Sequence, residues 1–77
     1  MAQADKTLDI KGLVQPRPAI VIEMTMSHLG PGQVLSVITN DAGARESVTA
    51  LCAQRGYALL ETTVQDGAIQ FTIQKRS

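Results

Sequence analysis

Cysteine occurs once, at Cys52, so no disulfide can close within the chain and a reducing compartment suits it. Aromatic residues number two, Tyr57 and Phe71, with no tryptophan, too few for a base-stacking surface. Neither sign of charge is in excess. Seven Lys plus Arg balance seven Asp plus Glu, so there is no basic field to hold nucleic acid directly. No apolar run approaches the roughly 20 residues of a membrane helix. The polar opening, Met1 to Lys6, lacks the charged and apolar regions of a signal peptide, and the expected location is therefore cytoplasmic. His28 and Cys52 stand 24 positions apart without clustered carboxylates, which is not a metal-ligand spacing, and Ser27 and Ser47 sit in no triad-like motif. Repeats, linkers and low-complexity tracts are absent.

What is present is one small domain, residues 1–77, with 44% hydrophobic and 18% charged residues. Its organising stretch is Gly12-Leu13-Val14-Gln15-Pro16-Arg17-Pro18, where two closely spaced prolines precede an apolar run and mark a strand giving way to a helix. A short strand is expected over Thr7–Ile10. From Arg17 to Leu29 the residues Ala19, Ile22, Met26 and Leu29 recur at helical spacing and define a core-facing stripe. The β-branched run Ile20-Val21-Ile22 would suit a buried strand as well, but length and the proline start favour helix. Ile20, Val21 and Met24 lie off the stripe, either tucked under a loop or exposed as a contact patch.

A second strand is expected over Gln33–Thr39, apolar on both faces, and a second helix over Ala44–Arg55 with Ala44, Val48, Leu51 and Cys52 inward and Gly56 as its C-terminal stop. Strands over Tyr57–Val64 and Ala68–Gln74 meet at Asp66-Gly67, a hairpin signal. The order βαβαββ predicts an α+β two-layer sandwich, two helices packed on one mixed four-stranded sheet.

Read as Leu-Asp-x-x-Gly-Leu-x-x-Pro-x-Pro, residues Leu8 to Pro18 resemble the signature of the TusA/SirA-like sulfur carriers, Leu-Asp-x-Arg-Gly-Leu-x-Cys-Pro-x-Pro. The resemblance continues through Leu29-Gly30-Pro31-Gly32-Gln33-Val34-Leu35, Asn40-Asp41, Gly56-Tyr57-Ala58-Leu59-Leu60 and Phe71-Thr72-Ile73-Gln74-Lys75. It implies the same fold and a place in sulfur relay: persulfide sulfur taken from a cysteine desulfurase or rhodanese-like donor and handed to an acceptor protein, as in tRNA thiolation. No cofactor is implied. Two positions depart from the pattern. Lys11 stands for the family's arginine, and Gln15 stands for the cysteine that carries sulfur.

An amide forms no thiolate and holds no sulfane sulfur, so the resemblance alone leaves open whether the chain is a sulfurtransferase. Gln15, at or beside the helix N-cap, is expected either to cap the helix or, with Arg17 and free backbone N–H groups, to bind an anion or a partner's carboxylate. Cys52 is expected to be a core residue, with sulfur carriage as the alternative. His28 is expected at the first helix's C-terminus, and Asp41 and Glu46 at the second helix's start, where their charges are favourable.

Three functions fit these residues. One is an active carrier through Cys52. Another is a binding or regulatory module that keeps a docking surface of Gln15, Pro16, Arg17, Pro18, Ile20 and Met24. The last is a small-anion binder at the first helix's N-terminus. The extra apolar patch and the sheet edge leave the oligomeric state open.

Overall fold

A computed structural model of the chain describes residues 4–76; Met1 to Gln3 of the polar opening segment and Ser77 lie outside the described residues. The elements are β1 (Lys6–Asp9), α1 (Arg17–Ser27), β2 (Val34–Thr39), α2 (Ala44–Arg55), β3 (Ala58–Gln65) and β4 (Ala68–Gln74). They form the expected two-layer α+β sandwich, with sheet order β1-β2-β4-β3. β1 runs parallel to β2, while β4 is antiparallel to both β2 and β3.

α1 resolves the ambiguity of Ile20-Val21-Ile22. In a strand Ile20 and Ile22 would share a face; here Ile22 is fully buried and Ile20 is 50% exposed, as a helical turn requires. The buried stripe of α1 is Pro18, Ile22 and Met26. Ala19 and Leu29 are only half-buried, Leu29 because the helix ends at Ser27 and leaves it in the following turn. In α2 the inward set is the expected one, Ala44, Val48, Leu51 and Cys52. Gly56 follows with φ of +73° and directs its N–H to the Cys52 carbonyl, a conformation that glycine adopts without a Cβ penalty.

The sheet's core face is made by Leu35, Val37 and Thr39 of β2 opposite Ile73, Phe71 and Ile69 of β4, all buried. β2 is covered on its other face too, since Val34 and Ser36 are also buried. The β3–β4 turn has φ of +52° at Asp66 and +78° at Gly67, the left-handed pair that matches strand twist in a two-residue hairpin. The strand bounds differ by a residue or so from expectation. Gln33 is claimed by a turn instead of β2: its N–H donates to the Gly30 carbonyl, and its side-chain oxygen accepts the Gly30 N–H.

The C-terminal end of α1 carries a cation that helical periodicity does not reveal. Lys75 Nζ donates to the carbonyls of Met26 (3.1 Å) and Leu29 (2.8 Å). His28 is exposed and serves that end through its backbone N–H, so the expected charge partner is supplied by Lys75 from the far end of the sequence. Lys75 is also paired to the Gln33 carbonyl through its own N–H. Lys75→Met should keep the apolar stem and lose both charge-assisted bonds, costing about 2 kcal/mol in urea unfolding. Lys11→Met, at a residue whose side chain is 51% exposed, should change stability by less than about 0.5 kcal/mol.

Candidate functional site

In the parallel β1–β2 pair Asp9 lies beside Ile38, so the segments leaving the two strands run side by side. They are tied to each other at once. The Gly12 N–H donates to Asn40 Oδ1 at 3.0 Å, with Gly12 at φ of +97°. Three residues on, the Gln15 amide nitrogen donates both its hydrogens, to Asp41 Oδ2 at 2.8 Å and to Ser47 Oγ at 3.0 Å. The Ser47 hydroxyl in turn donates to the Ala44 carbonyl in the first turn of α2 (3.3 Å). The Gln15 side chain therefore clips the start of α1 to the start of α2. It lies over Gly43, where an added Cβ would come within 3.2 Å of Gln15 Cγ.

This arrangement revises two expectations. Gln15 does not cap α1: Pro16 occupies the N-cap position and there is no side-chain capping bond, because the amide is engaged by α2 and the segment before it. Nor is the start of α1 a rich anion socket. Pro18 has no N–H, and the Arg17 N–H is already bonded to the Val14 carbonyl at 3.0 Å. Ser47, which stands in no sequence motif, becomes a member of the site through a pairing 32 residues apart that no local spacing announces.

Around the clip, Pro16 and Arg17 are exposed. Ile20 and Met24, one helical turn apart, are 50% and 61% exposed and form an apolar strip beside Arg17; Val14, at 64%, joins the set of exposed apolar residues on the segment before the helix. Val21 is half-buried against the core. Pro18 is fully buried, so it is a core residue and not part of a docking surface as the sequence led one to expect; its ring faces inward with Ile22 and Met26.

Cys52 is 3% exposed, on the inward face of α2 with Val48 and Leu51. Burial pushes its thiol up from the ordinary value, because the thiolate would lose its hydration. Among the described residues no cluster of His, Cys, Asp and Glu is placed to hold a metal ion, and no helix is long and apolar enough to cross a membrane.

Alkylation of Cys52 by iodoacetamide should proceed at the rate of unfolding, and should accelerate in urea in step with loss of secondary structure. Gln15→Ala should cost about 1 kcal/mol. Gln15→Glu keeps the reach of the side chain but sets a second carboxylate against Asp41, and thermal melts at neutral pH should show it to be less stable than Gln15→Ala.

The sequence and the fold have counterparts among known proteins. The model of the family described as Sulfurtransferase TusA matches residues 6–75. The Bacillus subtilis (strain 168) protein YrkI is 40% identical over 73 residues, covering 95% of this chain and 97% of the relative. The sulfur carrier protein TusA of Allochromatium vinosum is 36% identical over 75 residues, covering 97% of this chain and 99% of the relative. Among solved structures, the SirA-like protein from Desulfitobacterium hafniense superposes with a TM-score of 0.83 at 28% identity, covering 94% of this chain and 99% of that one. A match over nearly the full length, joined to the βαβαββ sandwich and the Leu8 to Pro18 segment that links β1 to α1, places this chain in the TusA family.

Proposed function

We propose that this chain is a protein-binding or regulatory member of a cytoplasmic sulfur relay, such as one that serves tRNA thiolation, and that it docks to relay partners without carrying persulfide itself. The observation that carries this reading is the Gln15 clip. The residue that aligns with the sulfur-bearing cysteine of the family pattern is an amide, and both its N–H groups are spent on Asp41 and Ser47. The chain's one thiol is buried in α2.

What the chain offers a partner is a formed surface. Arg17, exposed beside Ile20 and Met24, gives a cation next to an apolar strip, suited to a partner that presents an apolar patch with a carboxylate. The partners that fit a relay are a cysteine desulfurase or rhodanese-like donor and a sulfur-acceptor protein. No cofactor enters this reading.

Intact-mass analysis after incubation with a cysteine desulfurase and cysteine tests it, on this chain and on Gln15→Cys, Cys52→Ala and the double substitution. Sulfur should be gained only by the two forms with the Gln15→Cys change. Gain by the unsubstituted chain that disappears with Cys52→Ala would overturn the reading and make Cys52 the carrier. In pull-downs of the same desulfurase, Arg17→Ala and Met24→Lys should each weaken capture by roughly tenfold, about 1.4 kcal/mol. Binding indifferent to both would remove the proposed surface.

A further inference from the structure

The two edges of the sheet are built differently. β1, at one edge, is four residues long and carries Lys6 and Asp9, a short and charged margin of the kind that discourages further pairing. β3, at the other edge, is eight residues long, Ala58-Leu59-Leu60-Glu61-Thr62-Thr63-Val64-Gln65, with Glu61 its one charge. Among the described residues β3 has a partner strand on one side only, β4. It nevertheless exposes two large apolar side chains, Leu60 at 45% and Val64 at 58%.

The register shows why both lie on one margin. Thr62 and Val64 sit opposite Phe71 and Ile69, whose side chains are buried on the helix-covered face, whereas Glu61 and Thr63 sit opposite Thr72 and Gln70 on the other face. Leu59 pairs with Ile73 on the helix-covered face, and Glu61 pairs with the adjacent Thr72, so Leu60 is the extra residue of a β-bulge. Strand alternation back from Thr62 carries Leu60 to the same face as Val64. An apolar margin thus extends the core past its last strand.

We propose that this margin is the interface with a second copy of the chain, formed by antiparallel pairing of β3 with β3 about a two-fold axis at Thr62. That register is the one that sets the two exposed apolar side chains of the strand against each other. Thr62 meets its own copy, Glu61 meets Thr63 instead of another Glu61, and Leu60 of each copy meets Val64 of the other, twice. Sliding the axis to Glu61 would set the two carboxylates directly opposite each other. The pairing is isologous, so it closes at a dimer, joins the two sheets into one of eight strands and leaves the short charged β1 edges outside. α2 packs toward β3 and α1 toward β2, so the Arg17, Ile20 and Met24 surface stays free in the dimer.

Sedimentation velocity on the full chain from micromolar to millimolar concentration tests the proposal, with far-UV circular dichroism to show that each variant keeps its fold. The unsubstituted chain should pass from monomer to dimer with rising concentration. Leu60→Glu and Val64→Lys should each weaken association by at least roughly tenfold. The double substitution should restore it, because the new carboxylate and ammonium meet across the two-fold axis. Hydrogen exchange of the unsubstituted chain gives a readout that needs no variant: the Thr62 and Val64 amides, or those of their neighbours in alternation, should gain protection as concentration rises. A chain that stays monomeric at millimolar concentration, a dimer indifferent to both single substitutions, or growth beyond the dimer would overturn the assignment.

Discussion

The parallel, in-register pairing of β1 with β2 is the constraint on which the site depends. Parallel neighbours end on the same side of a sheet, so the segments that lead from β1 into α1 and from β2 into α2 must leave together. Each helix then returns across the same face, and the two helix starts come within reach of one side chain. The Gly12 to Asn40 bond fixes the segments before the helices begin, and Gln15 completes the join. An exposed ion pair between Glu23 and Arg55 links α1 and α2 as well, but a solvated pair of this kind contributes little.

The chemistry at residue 15 is governed by what surrounds it. Asp41 and Ser47 present two acceptors to a side chain with two N–H groups on one nitrogen, so the amide is fully used and held. A thiol has one weak donor and could not engage both acceptors, so the amide is the side chain that fastens the two helix starts here. Gly43 contributes by having no Cβ where the Gln15 chain passes.

Most of the architecture was legible because it is written in short-range patterns. The α2 stripe, the Asp66-Gly67 hairpin, the alternation of Ile69, Phe71 and Ile73 and the proline-marked start of α1 each rest on spacings of a few residues, and each is present. The features that were not legible are pairings across long separations. Gln15 with Ser47 spans 32 positions, and Lys75 with Met26 spans 49; a polar side chain choosing a distant partner over the adjacent helix end leaves no periodic trace. Pro18 was counted with the docking surface because it stands between exposed neighbours in the motif, while its position one residue into α1 turns its ring toward the core.

The strand last in sequence is not last in space. β4 lies between β2 and β3, and its end is fastened by the Lys75 backbone to Gln33 and by the Lys75 ammonium to the close of α1. Everything before residue 68 is a set of helices and strands with an empty slot where Ile69, Phe71 and Ile73 belong. Until the segment from Ala68 to Gln74 is in place, β3 has no strand to pair with and nothing joins it to β2, so closure of the sheet waits on contacts that are long-range in sequence.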